Sequence, residues 1–477
     1  MCEKKEKLSN IFNGIKNIAY NAYKRGDYES SLGVISAAAA YMYEINMIYN
    51  DSELEKLVEM ITKKYINYAN IDDKFEIKNI LFYDEFGYEN RGIASIYIKA
   101  MINKGYRVIY VTRSYRRNKI SKIEKIVNQN GKIVFLERDS YKNEVEKLVK
   151  IIIENKCGNI FMYTFPQGIV APMCYYVMQK YNVRVYKINL TDHAYWLGNR
   201  AADYFIEFRD LGADISVNYR KIDSKKIVKL PFYPEIDKDI EFEGLPFVQK
   251  NKKIIFSGGG LYKTFDSEML YYKIVDDILN TYNDVIFWYA GGGDTSGLEK
   301  LEKKYQGRVY HTGERKDLYQ VLKRCYFYLG TYPISGGLMG QYAAEAGKVP
   351  MQLLHDELGG LLLENVNALE CQYNDVNSFM EQIHTILNDE RKLSELEAKT
   401  KNQVISQGEF EDELESILTS CSTRNIKYQD VELEKFQKVY LERFELSSIK
   451  DLLCTKRTIS ENKNIIELLI KEKIIAE

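Results

Sequence analysis
Apolar residues recur at helical spacing through roughly the first 75 positions, without the alternation that marks a strand. AYNAYKRGDYESSLGVISAAAAYMYEI predicts two helices broken at Gly26 and Asp27, with small residues from Ala37 to Ala40 that allow close packing. DSELEKLVEMITKKY predicts a third helix, N-capped by Asp51 or Ser52. At Lys78 the period changes. KNILFYD, RVIYVT, KIVFLE, NIFMYTF, RVYKINL and ADYFIEF are short apolar runs, most of them separated by amphipathic stretches of helical length. Such alternation predicts βαβ units and a parallel sheet covered on both faces. At Lys252 the pattern restarts with KKIIFSGGG, DVIFWYAGGGD, RVYHTG, YFYLGTY and VPMQLL.

The chain therefore divides into a helical N-terminal extension (1–75), a Rossmann-like domain (76–245), a second one (246–425) and charged C-terminal helices (426–477). The expected fold class is α/β: two Rossmann-like domains facing a central cleft. Ligands would bind at the carboxyl ends of the strands, as they do in open α/β sheets.

Composition narrows the function classes. Lys and Arg total 67 against 68 Asp and Glu, a formal charge of −1, which argues against a nucleic-acid binder. No apolar run is long enough to span a membrane, and the lysines of MCEKKEKLSN are not followed by a signal-peptide core. The 7 scattered cysteines form no CxxC and the 4 histidines show no ligand spacing, so reduced thiols, a cytoplasmic location and no metal site are expected. Tyrosine is abundant, 39 residues against 2 Trp, without a clear functional cause.

The loops after the strands carry the candidate chemistry. Ser257, Gly258, Gly259 and Gly260 follow a strand directly, and backbone N–H groups freed of side chains can approach a phosphate there. Lys263 stands three residues on and could add a point charge. Ile334, Ser335, Gly336, Gly337 and Leu338 open another helix, whose N-terminus is a second anion site. No P-loop pattern is present, so a nucleotide diphosphate would be held by these two loops together. His311 and Thr312 end a strand where a base could be contacted. Arg315 could reach phosphate, or equally pair with Asp317 or solvent. In the first half, Asp192 and His193 follow RVYKINL. A histidine beside a carboxylate suits general-base work, although a histidine satisfied within a turn is as good a reading. Asp84, Glu85, Asn90 and Arg91 lie in the first strand-end loop, with Thr164, Gln167 and Gly168 as further edge positions.

RVYHTGERKDLYQVLKRCYFYLGTYPISGGLMGQYAAEAGKVPMQL resembles the donor-binding half of a GT-B glycosyltransferase. IFSGGGLYKTFDSEML, WLGNRAADYFIEF with KIVKLPFYP, and DEFGYENRG are similar to the O-GlcNAc transferase-like group of that fold. The resemblance covers roughly residues 78–355. The first helix pair also resembles a tetratricopeptide hairpin, which that group carries N-terminally, though in a single copy here. The resemblance implies a nucleotide-sugar donor, most readily a UDP-sugar, with Lys263 on its pyrophosphate. It implies a glycan or protein hydroxyl as acceptor, touched by Asp84, Glu85, Asn90 and Arg91. It also implies metal-independent transfer without a further cofactor, and a possible partner protein or second copy.

Three departures stand out. Where many such enzymes place a ribose-binding carboxylate, five residues before the helix-ending Gly347, this chain has Tyr342; either Glu345 takes over or ribose is recognised differently. The DEFGYENRG loop lacks the group's histidine, so that catalytic assignment does not transfer and His193 is left as the best base by elimination, although in several GT-B families a histidine at this place contacts the donor sugar instead. Carboxylates are scarce at the strand ends. Tyr342 and the scarcity of acids leave open a catalytically silent partner that binds a protein substrate. A UDP-GlcNAc 2-epimerase-like enzyme shares the fold, but would need several carboxylates and histidines in the cleft, of which this sequence offers few.

Overall fold
The computed structural model describes residues 2–67, 74–89, 93–248, 251–355, 360–428 and 433–444, and the isolated positions 467, 470 and 471. The chain forms two compact units: residues 1–231 with 408–477, and residues 232–407. Described helices near both ends of the chain pack into the first unit.

That unit opens with α1 (Cys2–Lys24), α2 (Tyr28–Ile45) and α3 (Ser52–Tyr65). Gly26 turns the chain at φ +80°, and Asp27 caps α2 by accepting from the Ser30 N–H. Asp51, not Ser52, caps α3, accepting from the N–H groups of Glu53 and Leu54 at 3.1 and 2.9 Å. The sheet that follows is wholly parallel. Its strands are β1 (Glu76–Asp84), β2 (Arg107–Arg113), β3 (Gly131–Leu136), β4 (Cys157–Tyr163), β5 (Arg184–Asn189), β6 (Tyr204–Glu207) and β7 (Ile227–Lys229), in the order β3-β2-β1-β4-β5-β6-β7. Every residue of β4 is buried, as expected of a strand covered on both faces. Helix Gln407–Ser420 returns from the second unit's sequence to this sheet's flank. Phe410 is fully buried and meets Tyr97 edge to face at 5.1 Å, and Arg184 donates to the Leu418 carbonyl. Helix Leu433–Arg443 lies on α2, with Phe444 edge-on to Tyr41.

The second unit repeats the plan with β8 (Lys253–Gly258), β9 (Val285–Ala290), β10 (Val309–His311), β11 (Phe327–Leu329), β12 (Pro350–Leu353) and β13 (Gln372–Tyr373), ordered β10-β9-β8-β11-β12-β13 and parallel. In each unit the strand order reverses once, between β1 and β4 and between β8 and β11. Those switch points open a crevice at the strands' carboxyl ends. Many of the tyrosines serve as core: Tyr41, Tyr83, Tyr110, Tyr271 and Tyr328, among others, are fully buried.

Phe410→Ala should lower the unfolding free energy of the first unit by about 3–5 kcal/mol through the cavity it leaves. Urea titration of the full chain followed by hydrogen exchange in peptides spanning Tyr97 would read the loss; an unchanged midpoint would mean the returning helix does not stabilise this sheet.

Candidate functional site
In the second unit the anion-type features meet at the switch point. The loops after β8 and β9 are zipped together: the Gly259 N–H donates to the Ala290 carbonyl and the Leu261 N–H to that of Gly292, at 3.0 and 2.9 Å. A Cβ on Gly291 would stand 1.8 Å from the Gly259 carbonyl oxygen, so this approach demands glycine. Gly260 precedes a single turn, Leu261–Thr264, which carries Lys263. The Lys263 carbonyl accepts from the Ile334 N–H at 3.3 Å, which ties that turn to the loop after β11. There Ser335 accepts from the Gly360 N–H, and Gly336 caps helix Gly337–Glu345, whose second residue is Leu338. Gly258 lies under that helix, where an added Cβ would come within 3.5 Å of the Met339 methyl group. Glycine loop, lysine and helix N-terminus are thus neighbours. Lys263 is half-buried and has no carboxylate partner among the described residues, and burial alone lowers its pKa. A desolvated cation without a counter-ion beside a helix N-terminus is a strong anion site.

The remaining donor-side residues are placed less openly. His311 Nε2 donates to the Gly291 carbonyl at 2.6 Å and braces the loop after β9, and Thr312 Oγ1 accepts from Nε1 of Trp288, within β9, at 2.9 Å. Arg315 is spent on Asp317, donating at 2.8 and 2.6 Å, and lies against the Trp288 ring with its side chain 8% exposed. The pairing reading therefore describes its geometry, and its guanidinium is not presented to a phosphate. Tyr342 donates to the Glu235 carbonyl at 3.1 Å, and Glu345, one turn on, stands 3.9 Å from Lys238.

In the first unit, His193 lies on the loop after β5, and buried side chains hold that loop by its backbone. Arg220, buried at 1% exposure, donates to the carbonyls of Asp192 and Ala194, each at 2.7 Å. Lys187 donates to the Leu197 carbonyl at 2.8 Å. Both cations lie over the buried Trp196 ring. From α3, Glu55 accepts from the Gly198 and Asn199 N–H groups at 2.7 and 3.1 Å. Asn46, the residue after α2, donates to the His193 carbonyl and accepts from the Tyr195 N–H. Burial sets the electrostatics here, lowering Arg220, bringing Lys187 down to about 8 and raising Glu55. Burial would also raise Asp192, but the Arg209 guanidinium, donating at 2.5 and 3.0 Å, and His193 outweigh it and hold it well below the usual carboxylate range. His193 keeps its ring partly exposed, with Nδ1 3.3 Å from Asp192 and the Tyr440 ring 6.5 Å away.

The acceptor-side acids turn inward. Asp84 is fully buried, accepting from the Phe86 and Gly87 N–H groups and from the Tyr110 hydroxyl. Burial pushes its carboxyl up to about 6 despite those donors. Glu85 accepts from the Tyr83 hydroxyl and the Phe165 N–H at 3.0 Å each. Both carboxylates accept hydrogen bonds from within the fold and brace the loop. Asn90 and Arg91 lie outside the described residues. Arg209, Arg220, Glu55 and Asn46 were missed in sequence. Only Lys187, a charge inside the apolar run RVYKINL, carried a visible signal.

No group of three or more His, Cys, Asp or Glu among the described residues is arranged to hold a metal ion, and no described helix is long and apolar enough to cross a membrane.

No protein-family model matches the sequence, and no curated protein matches it significantly. Solved structures do. A point mutant of an O-GlcNAc transferase from Thermobaculum terrenum aligns over 91% of this chain and 82% of its own, at TM-score 0.51 and 14% identity. A glycosyltransferase from Rickettsia africae aligns over 74% and 100%, at 0.53 and 12%. Anabaena Alr3699/HepE, solved with UDP-glucose, aligns over 72% and 99%, at 0.52 and 13%. At such identities the likeness establishes the fold, which is GT-B.

Arg220→Met would leave buried carbonyls without donors and should cost about 3–5 kcal/mol. Faster amide exchange at 191–199 with unchanged exchange in the second unit is the expected signature; uniform loosening would contradict a local clamp. For Asp84 the raised folded pKa means the folded state holds a proton that the unfolded state has released. Its contribution is present below pH ~4 and lost as pH rises through about 6. Asp84→Asn should flatten unfolding free energy against pH across that window, and a slope equal to that of the unsubstituted chain would exclude this carboxyl as its source.

Proposed function
We propose that the chain is a glycosyltransferase that moves a sugar from a nucleotide donor, most readily a UDP-sugar, to a hydroxyl acceptor. The observation that supports this best is the junction in the second unit of the β8 glycine loop, Lys263, which has no carboxylate partner among the described residues, and the helix starting at Gly337. A diphosphate carries the charge that such a junction accepts, and a leaving diphosphate gains most from donors already in place. Lys263, Gly260 and the Gly336–Leu338 backbone would hold the pyrophosphate. Ser335 would order the loop, and His311 and Thr312 would set the strand-end wall beside the nucleoside. Glu345 rather than Tyr342 is assigned to ribose, because the Tyr342 hydroxyl already donates to Glu235.

His193 is assigned as the base. Its Nδ1 faces Asp192, which orients the ring, and Nε2 is assigned to take the acceptor proton. The acceptor oxygen then bonds to the anomeric carbon as the bond from that carbon to the diphosphate oxygen breaks. Asp84 and Glu85 act by shaping their loop. This transfer needs no metal or other cofactor.

A silent donor-binding partner is the second reading, favoured by the inward commitment of Asp84, Glu85 and Asp192. A thermal-shift screen with UDP-, GDP-, dTDP- and CMP-sugars, followed by slow donor hydrolysis, separates the two. Binding and hydrolysis are expected with a UDP-sugar; binding alone supports the silent partner, and epimer formation without an acceptor overturns transfer. Lys263→Ala should weaken donor binding by ~10- to 100-fold, the loss of a hydrogen bond to a charged group. His193→Ala should leave binding intact and lower hydrolysis by roughly 10²- to 10⁴-fold. Retained turnover in His193→Ala would remove it as the base.

A further inference from the structure
The first unit carries a cluster of cations for which the donor site has no use. β2 ends at Arg113, and the turn Ser114–Lys119 follows it at the carboxyl edge of the sheet. The Arg116 guanidinium carbon lies over the Tyr88 ring, 3.9 Å from its centroid, and that of Arg117 over the Phe135 ring at 4.0 Å. The stem of Arg116 packs so closely on Gly87 that an added Cβ would stand 2.7 Å from its Cγ; that glycine is in the left-handed region at φ +56°. The Asp84 turn therefore seats this arginine. Lys119, in the same turn, and Lys125, in the helix Ser121–Val127 that follows, are exposed. None of Arg116, Arg117, Lys119 and Lys125 has a carboxylate partner among the described residues, and the buried Arg116 Nε has no acceptor. Tyr115 projects from the same turn, 65% exposed.

A guanidinium is a planar donor fork that suits forked binding of phosphate or carboxylate, and a ring beneath it helps to fix its position. In a chain of net charge −1, a run of unpaired cations is a local excess that attracts an anion. The surrounding apolar residues argue against a membrane surface: Ile120 and Ile123 are fully buried, leaving no apolar face to enter a bilayer. An exposed tyrosine ring among fixed cations instead suits a sugar ring bearing anionic groups. We infer that Tyr115, Arg116, Arg117, Lys119 and Lys125 bind an anionic glycan. β2 is three strands from β5 in the sheet, ~14 Å at about 4.8 Å per strand. If the transferase reading holds, this is the remote part of the acceptor, whose binding energy positions a distant hydroxyl at the His193 loop.

The test reads polymer binding by the full chain without nucleotide, so it stands or falls separately from the donor screen. Affinity electrophoresis would compare an oligogalacturonate with a maltodextrin of equal length, inorganic polyphosphate, poly-glutamate and phosphatidylglycerol vesicles. Oligogalacturonate should bind and maltodextrin should not, with binding weakening as salt rises. Arg117→Glu with Lys119→Glu should weaken it about tenfold or more, whereas Lys300→Glu with Lys303→Glu, on a helix of the other unit, should leave it unchanged. Tyr115→Ala should weaken oligogalacturonate but not polyphosphate, which has no sugar ring to stack. Oligogalacturonate binding that is absent, or indifferent to the Arg117/Lys119 change, overturns the inference. So does tighter binding to the vesicles or to poly-glutamate.

Discussion
A backbone taken out of water must find partners for its N–H and C=O groups, and the loop from Thr191 to Asn199 meets much of that demand with side chains. Arg220 and Lys187 supply donors from beneath, and Glu55 and Asn46 supply an acceptor and a donor from the N-terminal helices. The cost of burying these charges is offset only while each keeps its partner. The helical extension is therefore part of the first unit's fold, and it sets where His193 stands. Both cations lie over the Trp196 ring, and Gly198, at φ +99°, brings its N–H to Glu55. That is the physical content of the WLG stretch.

The second unit solves a different problem by removing side chains. Where β8 and β9 end, Gly291 and Gly259 touch backbone to backbone, and the loops continue the pairing of the strands past their ends. The result is a rigid rim at the switch point on which Lys263 is held desolvated next to a helix start. Rigidity and desolvation together make such a rim selective for a compact, highly charged group rather than for any passing anion.

The two units divide the chemistry. In the second, charge is left unpaired at the strand ends; in the first, carboxylates at corresponding places are consumed internally, and the unpaired charges are cations displaced along the sheet edge. Asp84 links these facts, since its turn is what seats Gly87 against Arg116.

Much of this was legible before any coordinates. Strand period, buried-strand composition and glycine clusters are local properties, so both parallel sheets, the loop at Gly258–Gly260, Lys263 and the helix at Gly337 could be read directly from residue order. The same holds for His193 at a strand end. What residue order could not reveal is which polar groups spend their charge internally. Arg315 pairs with Asp317 two positions away, yet a phosphate contact fitted the sequence equally well, because pairing depends on rotamer and burial. Asn46 and Glu55 reach residues more than a hundred positions distant, and helix Gln407–Ser420 returns to the first unit. Such contacts have no period to betray them. Only the packed tertiary structure decides them, since it alone determines which groups lose their water.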